Sequence, residues 1–223
     1  MKKSILSWLV AILIPMVLIG LAIRVLLTPL FYQAEYQMPY FPPDSYGFTK
    51  ADRLKWAPYA VSYLINSADI SYLGDLKFDN GTPLYNEREL RHMQDVKIVT
   101  QGALRLWYIS LAVLLGLGIW AWFGGWWQYF LLGLKRGGWL MVLLAALLGS
   151  IVIIGIAVNP YVFDDFFAFF HSLFFEGNSW LFLFSDTLIR LFPIRFWEDA
   201  FLWAAVIALG GGLALGWGIK PKI

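Results

Sequence analysis

The sequence predicts an all-α integral membrane protein: four transmembrane helices, a small extracytoplasmic α+β cap with one β-hairpin, and interfacial or re-entrant helices. Three observations predict it. Of 223 residues, 60% are hydrophobic and only 14% charged, where a soluble domain carries about 25% charged. Four stretches, about 5–27, 101–123, 139–158 and 197–219, reach the roughly 20 apolar residues that a helix needs to cross hydrocarbon. The segments 30–100 and 159–199, the two outer segments 30–100 and 159–196 with the first residues of the last span, hold the 15 acidic side chains. One membrane domain covering 1–223 is expected. So little charge excludes a water-soluble enzyme, and a net charge of +2 supplies no phosphate-neutralising stripe for nucleic acid.

The first span follows Met1-Lys2-Lys3, which resembles a signal-peptide n-region. Its apolar run is too long for an h-region and no small-residue cleavage site follows, so it reads as a retained anchor, mildly kinked at Pro15. Lys2 and Lys3, Lys135 and Arg136, and Lys220 and Lys222 flank the spans on one side. The positive-inside rule then places both termini and the short loop between spans two and three in the cytoplasm, with the two acidic segments outside. This is the topology of a multi-pass membrane protein. Gly212 and Gly216 in span four form a G-x-x-x-G pair suited to close helix approach. Arg24 and Arg105, near the outer ends of spans one and two, read as snorkelling side chains, with a role at a lipid phosphate or an oxyanion as the alternative.

In the first outer segment, Pro39, Pro42 and Pro43 mark an irregular start. Residues 50–66 have apolar side chains near helical spacing at Leu54, Ala57, Tyr59, Val61 and Leu64. Asp79-Asn80-Gly81, between Leu76-Lys77-Phe78 and Thr82-Pro83-Leu84-Tyr85, predicts a two-residue hairpin. Asn80-Gly81-Thr82 also spells a glycosylation acceptor, but the turn reading is preferred. Asn86 then caps a helix with Glu89 as its capping-box partner, and that helix runs on into span two. On it, His92 and Asp95 are i,i+3 neighbours, which lets Asp95 fix the imidazole tautomer; Arg91 competes for the same carboxylate. The alternative reading of His92 is a solvated helix face.

The second outer segment packs seven Phe around His171 between Tyr161 and Glu176. Phe163, Phe167, Phe170 and Phe174 share one helical face, so a short helix lying in the membrane interface is expected, starting near Asp164 and Asp165 and stopping at Gly177. Partial desolvation there would keep His171 neutral and available as a base; an aromatic-belt helix with an incidental histidine is the alternative. From Asn178 an apolar helix should run to Pro193, re-entrant or lying on the surface, with Asp186 and Arg190 paired at i,i+4.

Cysteine is absent and His92 and His171 are the two histidines, so thiolate, iron–sulfur and multi-histidine metal chemistry are excluded. No H-E-x-x-H, G-x-S-x-G, P-loop or dinucleotide fingerprint occurs. Two histidines, several carboxylates and an oily outer pocket suit general acid–base catalysis on a lipid-borne substrate, with neither cofactor nor metal.

The blocks N-E-R-E-L-R-H-M-Q-D-V-K before span two, and F-H-S-L-F-F-E-G-N-S-W-L-F with D-T-L-I-R-L-F-P before span four, resemble the bacterial lipoprotein intramolecular transacylase family. The resemblance covers the whole chain in span order. It implies a four-span enzyme with an outer active site acting on diacylglyceryl-modified lipoproteins in membrane lipid. The sn-2 acyl chain of the diacylglyceryl-Cys moves to that cysteine's own α-amine, giving a lyso-form lipoprotein, with donor and acceptor in one molecule. His171 is then the candidate general base and acid and His92 a second acid–base group. Asp95, Glu89 and Asp186 are supporting candidates; Arg91 and Asn178 are candidate oxyanion donors. Two other readings are a non-catalytic membrane module, such as a transporter subunit or assembly partner, and an acyltransferase acting between separate lipids.

Overall fold

The computed structural model describes residues 2–159, 161–177 and 179–222, without the side chains of 153, 154 and 156–158. The elements run in the order α1 (Lys2–Leu26), α2 (Pro29–Glu35), α3 (Lys50–Ile65), α4 (Ser71–Gly74), α5 (Glu87–Phe123), α6 (Trp127–Val158), α7 (Val162–Phe174), α8 (Thr187–Leu191) and α9 (Ile194–Gly218). α1, α5, α6 and α9 are long and apolar enough to cross a membrane. The chain divides into two compact units. The first comprises Met1–Arg24, Ala103–Pro160 and Leu202–Ile223; the second comprises Val25–Gly102 and Tyr161–Phe201.

The first unit is built from parts of the four long helices. One core gathers Val10, Ala121, Trp126 and Phe130; another gathers Ile14, Leu18, Met141 and Ala208. Glycines let the helices close on each other. A Cβ at Gly137 would lie 2.5 Å from the Ile14 Cβ, and one at Gly138 would lie 2.6 Å from both the Gly212 carbonyl oxygen and the Gly216 nitrogen. The G-x-x-x-G pair is therefore where α9 meets α6. In lipid, apolar area gives helices little reason to associate, and such contacts depend on backbones approaching closely. The Trp107 indole N–H donates to the Val17 carbonyl at 3.1 Å.

The helix that carries the predicted span three starts earlier than that span. Lys135 and Arg136 lie inside α6, and the link from α5 is the turn at Gly124-Gly125-Trp126, where Gly125 has φ +66°. Lysine and arginine are good helix formers, so basic residues at a membrane boundary need not end a helix.

The second unit holds the shorter helices. α3 starts with a capping box: the Thr49 hydroxyl accepts the Asp52 N–H at 3.2 Å, and the Asp52 carboxylate accepts the Thr49 N–H at 2.8 Å. Its buried stripe is Arg53, Trp56, Ala57, Ala60 and Tyr63. The expected stripe shared only Ala57 with it; Tyr59 is exposed, and Leu54, Val61 and Leu64 are half-buried. Trp56, Ala60 and Tyr63 join Leu73, Leu84, Tyr85, Met93, Leu188 and Leu191 in one core. Ala57 joins Phe31, Tyr32, Tyr36, Phe196 and Ala200 in a second. Arg53 ties two irregular stretches to α3, donating to the Pro42 carbonyl at 2.8 Å and the Arg190 carbonyl at 2.9 Å.

The predicted β-hairpin is not formed as strands. Among the described residues there is one isolated antiparallel bridge, Lys77 with Pro83, closed by Phe78 N–H to Thr82 O and Leu84 N–H to Leu76 O, each 2.9 Å. The N–H groups that would extend the ladder are used elsewhere: Leu76 donates to the Leu73 carbonyl at 3.2 Å and Thr82 to Asn80 Oδ1 at 3.0 Å. The turn itself is present: Asn80 Oδ1 accepts from Thr82 N–H at 3.0 Å and from its hydroxyl at 2.7 Å, and Gly81 takes φ +83°.

A buried acid in α2 was not anticipated. Glu35 hydrogen-bonds the Asp199 carboxylate, which Arg195 holds through both oxygens at 2.7 and 2.8 Å. A bond between two carboxyl groups requires a proton. Burial, helped by Asp199, pushes Glu35 up to about 8, so that it carries the proton at neutral pH.

Candidate active site

α5 presents His92 and α7 presents His171, both in the second unit. The Asn86–Glu89 capping box opens α5 as predicted: Asn86 Oδ1 accepts the Glu89 N–H at 3.0 Å and Glu89 Oε2 accepts the Asn86 N–H at 2.8 Å. The other Glu89 oxygen accepts the Leu188 N–H at 2.7 Å. One buried carboxylate thereby joins the start of α5 to the start of α8. Asp186 adds three contacts: it accepts from Asn86 Nδ2 at 3.1 Å, Arg88 at 2.9 Å and the Leu183 N–H at 2.8 Å. These bonds hold residues 183–188 against the first turn of α5.

That anchoring also explains a difference from the sequence reading. Apart from Asn178, which lies outside the described residues, residues 179–186 form turns and extended chain, and only Thr187–Leu191 are helical. Asp186 spends its carboxylate on Leu183, Asn86 and Arg88 rather than on Arg190. Arg190 pairs with Asp44 instead, at 3.1 Å, and its guanidinium lies 3.6 Å above the Phe48 ring.

α7 matches the expected aromatic helix, with Asp164 and Asp165 in its first turn and Gly177 beyond its end at φ +60°. Phe163, Phe166 and Phe170 pack on Phe201 at 6.0, 5.1 and 5.5 Å. His171 is its buried residue.

The two imidazoles meet. Their ring centres are 6.0 Å apart and their planes differ by 22°. His92 is 7% exposed and His171 9%. Aromatic rings enclose both: Phe175 lies 4.9 Å from His92 and 5.6 Å from His171, Phe182 5.2 Å from His92, and Phe167 and Trp180 4.0 and 5.1 Å from His171. His171 Nδ1 lies 2.8 Å from the Phe167 carbonyl oxygen. A carbonyl only accepts, so Nδ1 carries the hydrogen and Nε2 keeps its lone pair.

The His92 segment precedes the apolar part of α5, and the surroundings of both rings keep them neutral. Burial pushes His92 down to about 4, and the neighbouring His171 pushes the same way. Burial also lowers His171, against the opposing effect of its bond to Phe167. Burial raises Glu89 to about 7, against the N–H groups it accepts. Among the described residues no group of three or more His, Asp or Glu side chains is placed to hold a metal ion.

The other predicted residues divide. Glu89 and Asp186 are part of the framework around the pair. Asp95 and Arg91 are exposed, with no ion pair to each other and no bond from Asp95 to His92 among the described residues. The tautomer-fixing role expected of Asp95 is therefore not seen; His92 Nδ1 is buried with no partner among the described residues. Arg24 is half-buried and Arg105 exposed, both in the first unit. The guanidinium that shares a neighbour with His92 is that of Arg88, 5.6 Å from the Phe182 ring. Arg88 is four residues before His92 and so on the same helix face, whereas Arg91, one residue before, is turned about 100° away. That spacing was available in the sequence. Trp180 and Phe182 were not identifiable as wall residues, because their position depends on the non-helical path that Asp186 imposes.

The profile of the lipoprotein intramolecular transacylase Lit family matches residues 8–197, most of the chain. The chain belongs to this family. The resemblance carried by the two histidine blocks is thus borne out, and the protein is a multi-pass membrane acyltransferase rather than a non-catalytic module. An uncharacterized protein of Aquifex aeolicus (strain VF5) is 29% identical over 222 residues, covering 99% of this chain and 96% of that protein. The crystallised membrane integral transacylase Lit of Bacillus cereus shares the fold with a TM-score of 0.70, at 21% identity, covering 96% of this chain and 92% of that one. A second structure of that protein, in which a histidine is replaced by arginine, aligns with a TM-score of 0.67 at 20% identity, covering 96% and 88%.

Proposed function

We propose that this enzyme moves the sn-2 acyl chain of a diacylglyceryl-cysteine lipoprotein to the α-amine of the same cysteine, with the His92–His171 pair as its proton carrier. Membership of the Lit family supports the reaction class. The observation that carries the mechanism is the enclosed, stacked imidazole pair with His171 Nε2 free to accept.

An α-amine with its ordinary pKa, about 7.7–8.0, is mostly protonated at neutral pH and must be deprotonated to attack. The neutral amine attacks the ester carbonyl carbon, and a C–N bond forms as the carbonyl becomes an oxyanion. His171 Nε2 removes a proton from the attacking nitrogen. The oxyanion collapses, the C–O bond to the glyceryl carbon's oxygen breaks, and the proton passes to that oxygen to give the free hydroxyl. His92 serves as the second acid–base group. The proton taken from the attacking nitrogen is the one returned to the glyceryl oxygen, and the proton that the ammonium gives up before attack leaves to solvent, so the cycle needs no external acyl donor. Joining amine and ester in one molecule makes attack unimolecular, and a closed aromatic site favours the folded-back conformer in which they meet.

Lys2 and Lys3 at the start of α1 and Lys220 and Lys222 after α9 support a topology with both termini in the cytoplasm and the site on the extracytoplasmic side. The test uses purified enzyme and two diacylglyceryl lipopeptides, one with labelled acyl chains and one with a labelled peptide. Transfer within one molecule leaves the labels in separate lyso-form products. A doubly labelled product would instead establish transfer between molecules.

A further inference from the structure

Beside the imidazole pair, the Trp180 indole nitrogen is buried and has no hydrogen-bond partner among the described residues. Indole N–H donates and never accepts, and when buried it usually finds an acceptor. Trp107 shows the ordinary outcome, with its N–H on the Val17 carbonyl. Trp126 also lacks a partner, but it sits in an apolar core with Val10, Ala121 and Phe130. Trp180 differs because its ring centre is 5.1 Å from that of His171, at an interplanar angle of 36°. One ester group is small enough to lie against both rings.

We propose that the Trp180 indole N–H is the hydrogen-bond donor to the carbonyl oxygen of the ester under attack. The inference rests on the transacylase reading above. A carbonyl that accepts a bond in the ground state accepts a stronger one as it becomes an oxyanion, which lowers the barrier. Indole suits this position for a further reason. It is neutral and does not release its proton near neutral pH, so it stabilises the oxyanion without competing with His171 for the migrating proton. Arg88 is another nearby donor, with its Nε unpartnered among the described residues. Its charge is already directed to Asp186 at 2.9 Å and its side chain is 42% exposed, whereas the indole ring packs against the ring of the base itself.

The variant Trp180→Phe keeps an aromatic wall and removes the N–H; β-(3-benzothienyl)alanine at position 180 keeps the bicyclic shape and removes only the N–H. Loss of one oxyanion donor should lower kcat about 100-fold, with KM changed little. Two unreactive analogues separate donation from packing: a phosphonate in place of the sn-2 ester, which carries a tetrahedral anion, and an ether, which has no carbonyl. The expected result is weaker phosphonate binding in step with kcat and unchanged ether binding. Wild-type kcat in either folded variant overturns the proposal, as does equal loss of both analogues, which would mark a packing role. If Trp180→Phe fails to fold, the benzothienyl variant decides on the same readings. Failure of the wild-type enzyme to make lyso-form product would overturn the transacylase reading instead.

Discussion

The two units bring groups together by opposite means. In the first, helices approach by omitting side chains: Gly137 and Gly138 leave no room for a Cβ beside Ile14 and the Gly212 backbone. In the second, the site is enclosed by some of the largest side chains in the chain, Phe167, Phe175, Trp180 and Phe182. Its alignment comes from polar anchors, since Glu89 and Asp186 bind backbone N–H groups in residues 183–188. A packing seam tolerates any pair of surfaces that fit. A catalytic pocket also needs particular nitrogens left unpaired, and rings supply walls that do not use those nitrogens up. The comparison therefore teaches that stability and activity should respond to different substitutions in the two units.

The largest effect should come from the imidazoles. His171→Ala and His92→Ala should each reduce turnover by about 10²–10⁴-fold, the range of general acid–base catalysis, while the thermal midpoint in detergent falls little. Measurement is by mass analysis of lipopeptide N-termini over time. Equal losses of turnover and stability would break the distinction between the units.

Glu89→Ala leaves two N–H groups, on Asn86 and Leu188, without their acceptor. It should cost on the order of 2 kcal/mol in stability and also slow turnover, because residues 183–188 lose their tie to α5. Glu89→Gln keeps one oxygen and should fall between the two. Circular dichroism melts together with the same mass assay check this.

In the first unit, Gly138→Ala should destabilise by about 1–3 kcal/mol through overpacking and leave the turnover of the remaining folded enzyme unchanged. Gly116→Ala, where a Cβ meets nothing within 4 Å, should be neutral or slightly stabilising. Similar melts for these two variants would contradict the glycine seam.

The smallest effect is on pH dependence. Glu35 titrates near 8 when folded against an ordinary 4.5, so the folded state holds its proton more tightly and stability falls as pH rises between those values. Glu35→Gln should remove much of the loss between about pH 5 and 8. His92, depressed to about 4, acts in the other direction: the unfolded state takes up the proton first, so stability falls as pH drops from about 6.5 toward 4. The two slopes oppose each other between about pH 4.5 and 6.5, so melts from about pH 4 to 9 of the wild type, Glu35→Gln and His92→Ala would separate them.

Much of this arrangement was legible in the sequence because it depends on local rules. Hydrophobic run length located the four long helices, and the Asn86–Glu89 spacing gave the α5 cap. The seven phenylalanines around His171 gave a short aromatic helix. What was not legible depends on partners distant in the chain. Asp186 could have paired with Arg190 on its own helix face, and only tertiary structure gives it to Arg88, 98 residues away. That choice sets the path of Trp180 and Phe182. Lys135 and Arg136 suggested a loop because charge marks membrane edges, although nothing in their backbone preference ends a helix. The hairpin was over-read because the Leu76 and Thr82 N–H groups turn to Leu73 and Asn80 instead of pairing across it.

The account turns on two uncharged rings, one of which offers Nε2 as a base. Nitrogen-15 NMR of histidine-labelled enzyme tests this directly. At pH 7 His171 should show a protonated Nδ1 and an unprotonated Nε2, and neither ring should be an imidazolium. A cationic ring at that pH, or His171 in the opposite tautomer, would contradict the mechanism.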